Sequence, residues 1–321
     1  MAFFPPYTYA KHLELIETAR SIPNCDVTSL GKTVEGRDIT LLTVGTPTPE
    51  KKKCWVIARQ HPGETMAEWF MEGLIERLRS GEDLSELLDN TVLYLVPNMN
   101  PDGSYHGNLR TNAAGVDLNR AWLQPSVETS PEVFYVRELM HKTGVDFFMD
   151  VHGDESHPNV FPDGRGVGCS PNNYIMDLEP KFIQDFMDTN PHIQKDSCYD
   201  PDLPGQANLA IAASYFAEKA NCLSFTLEMP FKDVKKTDGS VVDWMPVDCK
   251  RLGADLLEVL KRNWTLLKSN QIYVEESRIA EELLRAPGRD SLFHRQDEVA
   301  QLNHQMTDET AHKPDGCCVL M

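Results

Sequence analysis

The chain has 321 residues, 41% hydrophobic and 8% aromatic, enough to bury a substantial core in one large α/β domain or two small ones. Its formal charge of -18 excludes a general nucleic-acid binder, because phosphate binding needs a basic face, and the one lysine run, Lys51-Lys52-Lys53, reads as flanking a turn. No apolar run approaches the roughly 18 residues of a membrane span, and the first residues lack a basic n-region, so a soluble cytoplasmic protein is expected.

Helical spacing of Leu13, Ile16 and Ala19 predicts a helix over 8–21, and 27–44 reads as a hairpin turning at Glu35-Gly36. The apolar stretch Cys54-Trp55-Val56-Ile57-Ala58 predicts a buried strand. It leads into His61-Pro62-Gly63-Glu64 and then a helix over 65–79. A histidine and a glutamate three residues apart on such a connection can hold one metal ion together, and catalytic zinc requires a third protein ligand. His152 is the best candidate, because an apolar run from Val145 ends on it and Gly153 follows, as at the carboxyl end of a strand. Asp150 is placed across the strand from His152 and given no role.

Between these lie a strand over 91–97, a turn-rich loop Asn98-Met99-Asn100-Pro101-Asp102-Gly103, and a helix opened by Ser130-Pro131 and running to about Thr143. The segment 107–120 carries Arg110 and Arg120, whose planar guanidinium groups suit a carboxylate. Helices are expected over 171–188, 205–219, 246–269 and 274–285, with a strand over 222–228 ending on Glu228. A carboxylate closing an apolar strand is either paired or used. Strands alternating with helices define an α/β fold, three layers (α/β/α) around a central mixed, largely parallel sheet. The eight cysteines include no C-x-x-C pair and read as reduced thiols.

In order, the chain shows H-P-G-E, N-P-D-G, R-x-x-x-x-G-x-D-L-N-R, D-x-H-G and T-L-E. This set resembles the M14 zinc metallocarboxypeptidases, specifically the cytosolic carboxypeptidase branch that includes the tubulin deglutamylases, over about residues 8–270. The resemblance implies one Zn2+ per chain held by His61, Glu64 and His152, with Glu228 as general base and Arg110 polarising the scissile carbonyl. It implies further that Asn119 and Arg120 hold the terminal carboxylate of a peptide or protein C-terminus. Three departures stand beside it. Only about sixty residues precede His61, which leaves no room for the β-sandwich of that branch. The segment 207–215, where the deglutamylases carry a basic pocket residue, has no charge, so glutamate specificity does not carry over. The tyrosine that closes over substrate has only Tyr199 and Tyr215 as candidates. The alternatives are a zinc deacylase of N-acyl amino acids and a non-catalytic, membrane-tethered peptide binder.

The domain is expected over 1–285. A polar tail, 286–321, ends in Cys317-Cys318-Val319-Leu320-Met321, a C-a-a-X pattern that predicts farnesylation of Cys318, a second acyl site at Cys317 and contact with a membrane surface.

Overall fold

The computed structural model describes residues 4–164, 169, 173–195, 199–200, 202–236 and 238–268. The boundary at 285/286, the helix expected over 274–285, and Cys317 and Cys318 lie outside these.

Seven strands form one sheet in the order β1-β2-β4-β3-β5-β7-β6: β1 (Cys25–Lys32), β2 (Asp38–Val44), β3 (Lys52–Ala58), β4 (Thr91–Val96), β5 (Phe147–Val151), β6 (Phe161–Gly164) and β7 (Leu223–Glu228). The four central strands, β4, β3, β5 and β7, are parallel, and β1, β2 and β6 are antiparallel at the edges. The mixed, largely parallel sheet is therefore as expected. Lys52 and Lys53, expected beside the turn, already belong to β3, where Lys53 N–H donates to Asp146 Oδ2 at 2.8 Å.

Strand residues alternate between two buried layers, which is what a sheet covered on both faces requires. Cys54, Val56, Phe147, Met149, Phe225 and Leu227 face one core, with α1 (Tyr9–Ala19), α2 (Met66–Ser80), α6 (Asn173–Thr189) and α8 (Pro246–Asn263). Trp55, Ile57, Tyr94 and Phe148 face the other, with α5 (Pro131–Thr143) and α7 (Ala212–Ala220). Two short helices were not expected: α3 (Ser85–Asn90) and α4 (Pro101–His106). For α4 the signal was present, since Asn100 caps by accepting from Gly103 N–H at 3.0 Å and Pro101 stands at the first helical position. Its buried Asp102 accepts from Thr33 Oγ1 (2.7 Å), Glu35 N–H (2.9 Å) and Arg37 Nη1 (2.7 Å), which ties the β1–β2 turn to the segment after β4.

The helix expected over 205–219 is shorter. Gly205 takes a φ of 75°, and Asn208 turns its side chain back to accept from Ala210 N–H at 3.1 Å, an arrangement that competes with helix. Helical geometry therefore begins only at Ala212. Among the described residues no helix is long and apolar enough to cross a membrane.

Candidate active site

Parallel strands deliver their carboxyl ends to one edge of the sheet, the usual place for ligands in such folds. The loop after β3 carries His61 and Glu64. Gly63 has no room for a side chain, because a Cβ would meet the Leu109 carbonyl oxygen at 2.7 Å, and its N–H donates to that oxygen at 2.9 Å. His152 follows β5, its N–H bonded to Leu227 O at 2.8 Å, and Glu228 ends β7.

The expected ligands come together. His61 Nδ1 lies 2.6 Å from Glu64 Oε1, and His152 Nδ1 lies 2.8 Å from Glu64 Oε2. One ligand atom from each falls within 4.8 Å of the others, and all three residues are buried. Behind the imidazoles, His61 Nε2 contacts Asp117 Oδ1 at 3.0 Å and His152 Nε2 lies 2.7 Å from Asp150 Oδ2. Asp150 is thus on the same side of β5 as His152, a correction that follows from the two-residue period of a strand. Gln60 Nε2 donates to Asp150 Oδ2 at 2.6 Å and its Oε1 accepts from Trp122 Nε1 at 2.9 Å.

Burial opposes a charge on either histidine, yet the flanking carboxylates outweigh it and hold both pKa values above the ordinary range. Burial would raise Glu64, but the two imidazoles pull it down to about 2. Glu228 goes the other way: burial, reinforced by Glu64, Asp154 and Asp150 against His152, pushes it well above the carboxyl range. One of its oxygens, Oε2, is buried without a hydrogen-bond partner. Glu64, Asp117, Asp150 and Glu228 thus surround two histidines, a donor set with surplus negative charge. Two imidazoles and a glutamate, with carboxylates behind the imidazoles, suit a catalytic zinc ion.

The arm 107–120 brings the substrate candidates. Asn112 folds it, accepting from Ala114 and Val116 N–H at 3.0 Å each and donating to Thr129 O at 2.9 Å. Arg110 is 46% exposed at the rim, and its Nε donates to Asp117 Oδ2 at 2.8 Å. Asn119 Oδ1 accepts from Ala212 N–H at 2.9 Å, which turns its amide nitrogen toward His152 Nε2, 3.3 Å away. Arg120 is exposed and donates to Asn119 O at 2.7 Å. Of the two tyrosines, Tyr215 bonds His141 at 3.1 Å between α5 and α7. Tyr199 instead donates to Asp154 and stands edge-on to Phe161, the cross-strand neighbour of Glu228. A cleft of about 330 Å³ opens beside these residues, lined by 154–158 and 230–233.

Asn112 also bonds Glu132 Oε2 at 3.2 Å, and Glu132 Oε1 is buried without a partner. Burial, with the Asp102 charge adding and the Asn112 bond opposing, raises Glu132 to about 7. Protonation therefore favours the folded state: this stabilisation is complete below the ordinary carboxyl range and is lost as pH rises through about 7. From pH 5 to 8, the unfolding free energy from denaturant titration should fall more for the parent than for Glu132→Gln, the difference being on the order of 2 to 3 kcal/mol. Parallel pH profiles would refute this.

An α/β/α protein with a His-Glu-His set at the carboxyl edge of its parallel strands has the makings of a zinc exopeptidase. The chain belongs to the M14 peptidases: residues 13–239 match the model of the zinc carboxypeptidase family. It is 47% identical to a metallo-carboxypeptidase from Pseudomonas aeruginosa, solved in complex with (2-guanidinoethylmercapto)succinic acid, at a TM-score of 0.79 over 83% of this chain and 71% of that one. An uncharacterized protein of Zymomonas mobilis is 44% identical over 262 residues, 81% of this chain and 68% of its own. Mouse cytosolic carboxypeptidase 4 is 35% identical over 194 residues, 53% of this chain but only 17% of its length. The protein is a metallocarboxypeptidase of that family, and its family is zinc-dependent.

Proposed function

We propose that this chain removes the C-terminal residue of peptides or protein tails, with one zinc ion held by His61, Glu64 and His152 and with Glu228 as general base. The observation that carries this reading is the convergence of three buried ligand atoms at the edge of the sheet where the buried Glu228 ends β7. When bound, zinc supplies Lewis acidity that polarises a carbonyl and lowers the pKa of a water. Glu228 takes the proton from the attacking water and returns one to the leaving amine. Arg110, anchored to Asp117 through Nε alone, has its two amino groups for the carbonyl oxygen as charge develops there. Asn119, its amide turned inward by Ala212, and Arg120 hold the terminal carboxylate.

Cys25, Cys54, Cys222 and Cys249 are free thiols, and several of the curated relatives are named cytosolic carboxypeptidases, which supports a reducing cytoplasmic location. The test is release of free amino acids from peptides with acidic, basic, aliphatic and aromatic C-termini, with N-acyl amino acids in parallel. Release from peptides that a chelator stops and zinc restores is expected. Release from N-acyl amino acids alone, at stoichiometric zinc, would replace the peptidase with the deacylase. Arg120→Ala should raise KM about tenfold or more with a smaller change in kcat, because the contact exists before and during the reaction. An equal loss in kcat at unchanged KM would remove Arg120 from carboxylate binding.

A further inference from the structure

Arg59 takes no part in the proposed chemistry, yet it is 3% exposed and sits at a φ of 60°, in the left-handed region. A residue with a long, charged side chain stays there only where its surroundings over-determine it. Those surroundings are the two segments that carry the metal ligands and the helix that follows the first of them. Its backbone N–H donates to Val151 O at 3.3 Å, one residue before His152. Its Nε donates to Pro62 O at 3.1 Å, between His61 and Glu64. Its Nη1 donates to Glu68 Oε2 in the first turn of α2, the helix that begins just after Glu64.

Glu68 is fully buried and held from other sides, by His12 Nδ1 at 2.6 Å on Oε1 and by Asn98 Nδ2 at 3.2 Å on Oε2. The guanidinium therefore has a fixed anchor, and its second donor row is aimed at the carbonyl inside the ligand loop. A planar fork serves both acceptors in fixed directions from two separate nitrogens, whereas an ammonium has its three rotatable donors on one atom.

We propose that Arg59 is a positioning residue: braced by Glu68, it fixes the Pro62 carbonyl and with it the separation of His61 and Glu64, and so sets the affinity for the metal without touching it. This rests on the zinc reading of the site. The alternative is an ion pair that merely stabilises the packing of α1 and α2.

The experiment uses the full chain and two readouts: the zinc dissociation constant from competition with a chromophoric chelator, and the visible spectrum of the cobalt(II)-loaded protein. The melting temperature of the metal-free protein is the folding control. Arg59→Lys should weaken zinc binding 10- to 100-fold and change the cobalt spectrum. His12→Gln, which loosens the other Glu68 oxygen but leaves the clamp on Pro62, should lower the melting temperature while zinc affinity stays within about twofold of the parent. A zinc affinity for Arg59→Lys within twofold of the parent overturns the proposal. So does an equal loss in His12→Gln, which would trace the effect to general loosening. If Arg59→Lys does not fold, Glu68→Gln decides: it weakens the brace and should lose about tenfold in zinc affinity, and an unchanged value overturns the proposal. A parent that binds no zinc overturns the metal reading itself, an outcome distinct from variants that match a zinc-binding parent.

Discussion

Glu228→Gln is expected to lower kcat for C-terminal hydrolysis by about 10² to 10⁴ while leaving zinc affinity within a few-fold of the parent. The amide keeps the size of the carboxyl group and fills the same space at the end of β7, so the ligand loop and the His152 position should stay as they are. It cannot accept the proton of the attacking water. Burial of Glu228 among Glu64, Asp154 and Asp150 pushes its carboxyl toward the protonated form, and a cation held by the three ligands would offset that pressure. The variant should therefore separate metal binding from turnover. A variant that hydrolyses peptides at the parental rate would remove Glu228 as base. One that also loses its zinc would show that it serves the metal centre instead.

The sequence was most legible where a side chain's chemistry and the periodicity of its element point the same way. His152 and Glu228 stand at the carboxyl ends of apolar strands and His61 and Glu64 in the loop that follows another, and the shared direction of those strands carries all four to one edge of the sheet. The residues behind them were less legible, because a hydrogen-bond partner several elements away leaves no local pattern. Asp117 lay inside a recognised motif but shows its contact with His61 only once the arm is folded by Asn112. Asp150 is different, since the two-residue period already placed it on the side of His152 and the sequence reading put it on the wrong one. Arg59 and Glu68 were invisible for a third reason: charged residues in loops and first helical turns are usually solvated, and nothing local says that both are buried. The helix expected over 205–219 begins only at Ala212 because Gly205 and Asn208 have turn chemistry of their own.

The second large effect is expected far from the chemistry. Gly73 in α2 and Gly253 in α8 face each other so closely that a Cβ on Gly73 would lie 1.9 Å from Lys250 O, and one on Gly253 would lie 2.0 Å from Phe70 O. In both cases the obstacle is helix backbone, which cannot rotate away as a side chain would. Gly73→Ala gains helix propensity of up to about 1 kcal/mol, but the clash forces the helices apart and opens the layer holding Phe70, Leu74, Leu252 and Leu256. Overpacking should win, with a net loss of about 3 kcal/mol. For a domain of this size that is a fall of roughly 6 to 12 °C in melting temperature. The same displacement reaches the site, because α2 begins two residues after Glu64 and carries Glu68, the brace of Arg59. Zinc should accordingly raise the melting temperature of Gly73→Ala less than that of the parent. Gly253→Ala should act through the same contact, so the double variant should lose less than the two single losses added together. A melting temperature for Gly73→Ala within about 1 °C of the parent would mean that α8 can slide freely on α2, and the close approach of the two backbones would then have no part in fixing the ligand loop.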